Sequence, residues 1–212
     1  MRGFLTGSAT AMITPFTEKG VNFESFGKMI EYQIEGGTDA LVILGTTGEP
    51  ATMTEAEKEA LMRFAVERAK GRIKHIFGTG GHNSAKAVEM TKLAENIGAD
   101  GILAVTPYYN KCTQNGLIEY YKAICGATSL PVICYNVPSR TGVNILPATM
   151  ERIADIPNIA GIKEASGNMQ QVLETARRIR HKCDLYSGED ALNLPILCAG
   201  GKAVISVVSN IV

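Results

Sequence analysis

Short apolar runs alternate with longer amphipathic stretches along almost the whole chain. Each apolar run has the length and composition of a buried strand and is followed by a turn. In the stretch after each turn, apolar residues recur with a helical period. The predicted strands are residues 8–15, 40–45, 75–80, 101–107, 132–137, 159–165, 185–188 and 203–209. The pattern therefore predicts eight strands with helical stretches between them.

Several of the helical stretches carry recognisable ends. Thr54 and Glu57 have the spacing of a capping box, in which each residue bonds the backbone N–H of the other. The helix that they open is predicted to run to about Lys70, where a glycine follows. Helices are also predicted over residues 23–35 and 84–97, each again followed by glycine.

Strict alternation of strand and helix predicts a parallel sheet covered by helices. Eight such strands favour a closed (β/α)₈ TIM barrel of the α/β class over an open sheet. A dinucleotide-binding fold is the weaker alternative, because the glycine cluster at 78–83 has Asn83 where GxGxxG requires its third glycine. We predict a single barrel domain over residues 1–212.

The chain ends at Val212, directly after the eighth predicted strand. We therefore expect a barrel that is C-terminally incomplete, without the eighth helix that would cover the last strand. Apolar side chains within residues 204–208 are then expected to meet water or a partner.

The amino-acid composition mainly excludes certain classes of function. The 21 basic and 21 acidic residues balance, which gives no electrostatic case for nucleic acid or an anionic membrane as partner. No apolar run reaches the roughly 18–20 residues that a membrane span needs. Five cysteines without a CxxC pair fit a reducing cytoplasm, and three scattered histidines predict no protein-built metal site.

Candidate chemistry gathers where the predicted strands end, because barrel enzymes work at that rim. Lys163 is the most informative residue, and alternation places it on the same strand face as Gly161 and Ile159. If that face points inward, burial disfavours the ammonium and frees an amine to attack a carbonyl, with Gly161 leaving room for a ligand. The alternative is a strand-end lysine that extends to water.

Other strand ends add side chains that are ambiguous when taken alone. Tyr135, on the face of Ile133, would relay protons beside an amine, or would be a core tyrosine with a bonded hydroxyl. Thr46 and Thr47 lie among glycines and would grip a small carboxylate, or serve only as turn residues.

Two loop residues are equally open on position alone. Tyr109 would extend a proton relay or simply pack within its loop. Arg140 follows a Pro-Ser turn and would bind a substrate carboxylate or remain solvated. Each of these candidate residues is ambiguous alone, but their joint placement at the ends of neighbouring strands favours a functional site.

Five motifs, in order along essentially all of the chain, resemble those of one enzyme family. They are GTTGE at 45–49, TPYYN at 106–110, YNVPSRTG at 135–142, GIKEASG at 161–167 and SGED at 187–190. Together they resemble the dihydrodipicolinate (4-hydroxy-tetrahydrodipicolinate) synthase family, which belongs to the pyruvate-dependent class I aldolases.

The resemblance implies a Schiff-base mechanism. Lys163 would form an imine with pyruvate, and the derived enamine would attack the aldehyde of L-aspartate 4-semialdehyde before the ring closes by transimination. Tyr135, Thr46 and Tyr109 would form a proton relay, with Tyr109 supplied across a dimer interface. The resemblance implies no metal and no organic cofactor.

The same resemblance assigns the residues that bind substrate. Thr47, with the backbone of Thr46, would hold the pyruvate carboxylate, and Arg140 would hold that of the semialdehyde. Gly188 and the carbonyl of Ile205 would line the site. A cytoplasmic homodimer or homotetramer in lysine and diaminopimelate biosynthesis is implied.

The chain departs from the family pattern in two respects. Family members continue through an eighth helix and a C-terminal helical segment. At the family's lysine-binding cleft this chain has Glu55, Lys58, His82 and Lys86. Two cations there would repel an ammonium ligand, so we expect weak or no inhibition by lysine; a plain solvated helix face predicts the same.

Two other functions remain open at this point. N-acetylneuraminate lyase, or a 2-keto-3-deoxy sugar-acid aldolase, shares the chemistry but uses another acceptor; Arg140 and the paired threonines speak against it. The second is an inactive barrel fragment, which the missing last helix suggests.

Overall fold

Eight parallel strands close into a barrel in the computed structural model, which describes residues 2–212. The strands are β1 Gly7–Ala11, β2 Ala40–Ile43, β3 Lys74–Gly78, β4 Gly101–Val105, β5 Val132–Asn136, β6 Ile159–Glu164, β7 Asp184–Ser187 and β8 Ala203–Ser206. Each strand pairs with the next, and β8 returns to pair with β1. This confirms the TIM barrel. Every predicted strand is present, although each ends one to four residues earlier than predicted.

Helices follow the strands and form the outer layer. They are α1 Phe23–Glu35, α2 Glu55–Ala69, α3 Ser84–Ile97, α4 Gln114–Cys125, α5 Pro138–Thr141, α6 Pro147–Ile153, α7 Met169–Ile179 and α8 Asn193–Cys198. The capping box of α2 is confirmed, because the Thr54 hydroxyl accepts from the Glu57 N–H and the Glu57 carboxylate accepts from the Thr54 N–H. None of the helices in residues 2–212 has the length and apolar character that crossing a membrane requires.

A small hairpin, Phe16–Thr17 with Gly20–Val21, was not predicted. Strands of two residues are too short to show a period, so the sequence pattern gave no sign of them. The hairpin lies between β1 and α1 and does not belong to the barrel.

Within the described residues, β8 is followed by the 3₁₀ turn Val208–Asn210 and by no α-helix. Val207 and Val208, which follow the end of β8, are 45% and 47% exposed, as predicted for apolar residues within 204–208, whereas Val204 on the strand is half-buried. Ile205 points the other way and is buried among the apolar residues inside the barrel.

The core has two layers that correspond to the two faces of the strands. Ile133 and Tyr135 pack inside the barrel, as predicted, whereas Cys134 packs between β5 and the helices. On β6 the pairing with β5 shifts by one residue, which leaves Ala160 as the extra residue of a bulge. Ile159 therefore packs in the outer layer, and the prediction that it shares the face of Lys163 is wrong, because a bulge reverses the alternation before it.

Candidate active site

Lys163 is buried inside the barrel beside Tyr135. The two residues are register partners on β6 and β5, and the Lys163 Nζ lies 4.3 Å from the centroid of the Tyr135 ring. Lys163 is 4% exposed. Its amine forms no hydrogen bond or ion pair with any residue that the structure describes.

The environment of Lys163 favours a neutral amine. Burial lowers its pKa from 10.5 to about 8, and the negative charge of Asp190 only partly opposes that shift. Burial likewise raises the pKa of the Tyr135 phenol, opposed by a side-chain hydrogen bond with Thr46 and by the charge of Arg140. Burial therefore shifts both side chains toward their uncharged forms, which makes the amine more available as a nucleophile than an exposed lysine is.

The absence of a side chain at Gly188 leaves space for the aliphatic part of the Lys163 side chain. A Cβ atom at position 188 would lie 2.7 Å from the Lys163 Cγ and 2.9 Å from its Cε. The backbone N–H of Gly188 donates to the carbonyl of Glu164 at 2.9 Å. Gly188 therefore lies directly against the side chain of the candidate nucleophile; the resemblance implied that it lines the substrate site, which stays a prediction.

Gly161 serves a different purpose from the one predicted. A Cβ atom there would overlap the carbonyl oxygen of Asp184 and lie 2.5 Å from the ring of Tyr186. The space beside Gly161 is therefore filled by protein. The expectation that this glycine leaves room for a ligand is wrong, because it instead admits the buried Tyr186 ring to the barrel interior.

An open cavity of about 310 Å³ lies at the strand ends, and Thr46, Tyr135 and Arg140 are among its lining residues. Tyr135 both lines this cavity and contacts the Lys163 amine, so its ring links the two. Arg140 is exposed on α5 and forms no ion pair within the described chain. The cavity thus has a phenol, a hydroxyl and an unpaired guanidinium facing one space.

Thr46 and Thr47 lie in the 3₁₀ turn Thr46–Gly48 directly after β2. The turn begins at Gly45 without a side-chain cap, so its first backbone N–H groups have no partner from the turn itself. Thr46 lines the cavity, whereas Thr47 does not. Ile205 lies deeper, in the interior cluster that also contains Tyr135.

Tyr109 is not brought to the site of its own chain. It is 93% exposed and its backbone has a positive φ of 69°. Tyr108 lines the cavity instead, with its ring packed edge-on against His82 at 5.1 Å. The predicted role of Tyr109 in a partner's site stays a prediction.

Both lysines at the predicted lysine-binding cleft are paired with glutamates in the structure. Lys58 lines the cavity and pairs with Glu55 at 2.8 Å. Lys86 does not line it and pairs with Glu89 on the surface of α3. A cation at the cavity supports weak inhibition by lysine, which stays a prediction.

Asp190 is a charged residue whose part the sequence reasoning missed. Its carboxylate accepts from the Val207 and Val208 N–H groups at 2.9 and 3.0 Å. Burial acts to raise the pKa of Asp190, but hydrogen bonds from Ser206 and these N–H groups outweigh burial and lower it. The ionised carboxylate thus joins the 3₁₀ turn Asp190–Leu192, which follows β7, to the turn after β8, and it is the charge that acts on Lys163. Its place in the SGED motif, two residues after Gly188, was the available signal.

A closed parallel barrel with a buried lysine at the end of a strand is the architecture of barrel enzymes that form Schiff bases. Comparison with known proteins narrows this class. The model of the family described as "Dihydrodipicolinate synthetase family" matches residues 4–212. The chain belongs to the dihydrodipicolinate synthase family, whose enzymes are of the class I aldolase type.

Individual relatives agree with the family match. The 4-hydroxy-tetrahydrodipicolinate synthase of Alkaliphilus oremlandii is 53% identical over 206 residues, which cover 97% of this chain and 71% of that protein. The crystal structure of dihydrodipicolinate synthase from Aquifex aeolicus is 46% identical with a TM-score of 0.95, covering 98% of this chain and 71% of that one. A structure described as the first monomeric dihydrodipicolinate synthase variant is 45% identical, with the same TM-score of 0.95 and the same coverage of 98% and 71%. These relatives favour the synthase over the sugar-acid lyase.

Proposed function

We propose that this chain condenses pyruvate with L-aspartate 4-semialdehyde, as a 4-hydroxy-tetrahydrodipicolinate synthase in lysine and diaminopimelate biosynthesis. The observation that carries the proposal is the buried amine of Lys163, whose pKa is lowered from 10.5 to about 8. A lysine at its ordinary pKa is almost entirely protonated near neutral pH and is a poor nucleophile. The likeness to synthases along the whole chain supports the same reaction.

In the first half of the proposed reaction, the Lys163 amine attacks the ketone carbon of pyruvate. The carbinolamine loses water to give an imine, and loss of a proton from the pyruvyl methyl group gives an enamine. Tyr135 is the proposed carrier of these protons, which its ring contact with the amine and its place with Thr46 on the cavity wall support.

In the second half, the enamine carbon attacks the aldehyde carbon of the semialdehyde, and the aldehyde oxygen takes up a proton. The amino group of the semialdehyde then attacks the imine carbon and displaces Lys163, which closes the ring. The lysine amine is regenerated. The step consumes no oxidant or reductant, and the chain needs no organic cofactor for it.

Two groups are proposed to bind the substrate carboxylates. The uncapped turn at Thr46 and Thr47 would accept the pyruvate carboxylate through hydroxyl and N–H donors. Arg140 would bind the carboxylate of the semialdehyde, supported by its place on the cavity wall and its lack of an ion pair within the described chain. Gly188 and the Ile205 carbonyl complete the proposed lining.

Tyr109 is proposed to act in the site of a second copy of the chain. A tyrosine rarely adopts a left-handed backbone conformation, and this one exposes 93% of its surface. Large aromatic side chains of this kind commonly anchor partners. We therefore propose a cytoplasmic homodimer, or a homotetramer built from two such dimers. Sedimentation velocity measures the assembly, and a fully active chain that stays monomeric at assay concentration would contradict it.

Steady-state assays with two substrate pairs test the proposed reaction. We expect condensation of pyruvate with the semialdehyde and negligible cleavage of N-acetylneuraminate. Arg140→Ala should raise the KM for the semialdehyde at least about tenfold and leave the KM for pyruvate within about twofold. Arg63→Ala, which removes an exposed arginine of α2, is the matched control. Faster cleavage of the sugar acid than condensation would refute the proposal.

A further inference from the structure

Two buried polar residues, Asn136 and Glu164, lie directly behind the reactive pair. Asn136 follows Tyr135 on β5, and Glu164 follows Lys163 on β6. Successive side chains on a strand point to opposite faces, so these two point away from the barrel interior toward the helices. They are register partners, both 0% exposed, and the Asn136 Nδ2 donates to both Glu164 oxygens at 3.2 Å. A buried polar pair thus joins the two strands behind the nucleophile.

The side chain of Asn136 also closes the loop that carries Arg140. The Asn136 Oδ1 accepts from the Ile145 N–H at 2.9 Å, and its Nδ2 donates to the Asn144 Oδ1 at 2.9 Å. Between these contacts the backbone leaves β5, forms α5 and returns to the strand end. One side chain therefore holds both ends of residues 137–145, which we call the Arg140 loop.

Helices on either side fix the returning end of the Arg140 loop. The Asn144 Nδ2 donates to the Gln171 Oε1 at 2.7 Å, and the Gln171 Nε2 donates back to the Asn144 Oδ1 at 3.0 Å. The Gln114 Nε2 donates to the Asn144 carbonyl at 2.9 Å. The Arg140 guanidinium, in contrast, has no hydrogen bond or ion pair within the described chain, so the loop fixes the point from which its side chain extends toward the cavity.

Glu164 determines which way the amide of Asn136 points. Its carboxylate accepts from the Ser166 N–H at 2.8 Å as well as from Asn136. A buried carboxylate without donors is costly. The Asn136 Nδ2 therefore faces Glu164, and its Oδ1 is left to face the Ile145 N–H. Reversing this amide would put oxygen against oxygen at one end and N–H against N–H at the other.

We propose that Asn136, oriented by Glu164 and completed by Asn144, is a positioning residue that fixes the backbone carrying Arg140 relative to the strand that carries Lys163, and so sets the reach of the Arg140 guanidinium. The inference rests on the proposed function, in which Arg140 binds the carboxylate of the acceptor aldehyde. It assigns acceptor specificity to a network that touches neither substrate. Formation of the pyruvate imine does not depend on it.

A double-mutant cycle with Asn144 and Arg140 tests this assignment. Asn144→Ala removes a partner at the far end of the loop and leaves Lys163 and Tyr135 in place. We expect it to raise the KM for the semialdehyde about fivefold, with the KM for pyruvate within about twofold. In the Arg140→Ala background the same change should have an effect below about twofold. An equal effect in both backgrounds would overturn the proposal.

A second pair of variants tests the orienting role of Glu164. Asn136→Asp sets two acceptors against each other, and we expect the KM for the semialdehyde to rise about 30-fold. Adding Glu164→Gln restores a donor opposite an acceptor on that side, and the paired amides of Asn144 and Gln171 can reverse together to present a donor on the other side. We therefore expect that KM to return to within about threefold of the parent. A folded double variant without recovery contradicts the proposal; if Asn136→Asp does not fold, the Asn144 cycle decides.

Borohydride trapping of pyruvate, measured in each variant, separates this inference from the proposed function. Retained trapping together with a raised semialdehyde KM supports the positioning role. Trapping by the parent chain with an unchanged KM in Asn144→Ala overturns the inference alone. No trapping by the folded parent chain overturns both.

Discussion

The two faces of β5 and β6 treat buried polar groups in opposite ways. On the inner face, the Lys163 amine is buried without a hydrogen bond to any described residue, against the ring of Tyr135. On the outer face, Asn136 and Glu164 are buried as deeply but are bonded to each other and to the loops beside them. An unsatisfied buried group costs stability and stays reactive, whereas a satisfied network holds geometry. Reactivity and rigidity thus lie on opposite sides of the same two strands.

The adjacent residues Lys163 and Glu164 show the contrast in their pKa values. Burial lowers the pKa of Lys163 to about 8, and the structure provides it with no donor or acceptor in compensation. Burial also raises the pKa of Glu164, but hydrogen bonds from Ser166 and Asn136 oppose the shift. Desolvation disfavours the charged form of both residues. Only on the outer face do hydrogen bonds offset that cost.

The largest expected effect concerns the inner face. Lys163→Met replaces the unbranched stem with one of similar shape and removes the nucleophile, so we expect the condensation rate to fall at least about 10³-fold. Lys92→Met, at an exposed position of α3, is the matched control and should keep the parent rate. Retention of more than about a tenth of the activity by Lys163→Met would contradict a nucleophilic role.

The outer face should respond to an apolar residue with a loss of stability. Asn136→Leu leaves the Glu164 carboxylate and the Ile145 N–H short of a partner, so we expect the free energy of unfolding to fall by about 3 kcal/mol. Urea denaturation measures it. Asn115→Leu, at an exposed position of α4, should change stability by less than about 0.5 kcal/mol. Equal effects of the two substitutions would remove the distinction between the faces.

On the inner face, replacing a buried polar side chain with an apolar one should stabilise the chain. The pKa of Lys163 falls from 10.5 to about 8 on folding, so the folded chain binds fewer protons than the unfolded chain between these pH values. The free energy of unfolding therefore rises with pH between the two pKa values. Below the lower value, the full cost of burying the charged amine reduces the stability of the folded chain. We expect Lys163→Met to raise the free energy of unfolding by about 2 kcal/mol at pH 7 and to flatten this rise. A destabilised Lys163→Met would contradict the account of an uncompensated amine.

The smallest expected effect is at Gly188. An alanine there would push against the Lys163 stem, the flexible part of that side chain. We expect the condensation rate of Gly188→Ala to fall about tenfold through displacement of the amine. Gly81→Ala, where a Cβ atom meets open space, should keep the parent rate. Identical rates for the two alanine variants would show that the stem adapts without moving the amine.

Local sequence signals were enough to predict the barrel and the Lys163–Tyr135 pair. Alternation of strand and helix, the capping box at Thr54 and the inward face of Tyr135 depend on residues close together in the chain. Their positions near the ends of consecutive strands indicate that Tyr135 and Lys163 are neighbours, and the structure adds the exact register that pairs them. The predictions from sequence were therefore correct for features that a local hydrophobic period or a helix-capping motif defines.

Features that depend on contacts between distant segments were missed. The bulge at Ala160 is one extra residue without a sequence signal, and the Tyr186 ring beside Gly161 is a matter of tertiary packing. The Asn136–Glu164 pair becomes visible only once the strand register is known. The place of Tyr108 in the cavity wall was also missed, because nothing in the TPYYN motif indicates that its first tyrosine faces the cavity of its own chain.

The most direct test of a neutral buried amine is reduction of the folded chain with borohydride in the presence of pyruvate, followed by peptide mass mapping across a pH series. We expect a pyruvyl adduct on the peptide that contains Lys163, with an initial rate that rises with pH and is half-maximal near the pKa of about 8. The adduct should disappear in Lys163→Met. An adduct on another lysine, or none on a folded chain, would contradict the assignment of Lys163 as the nucleophile.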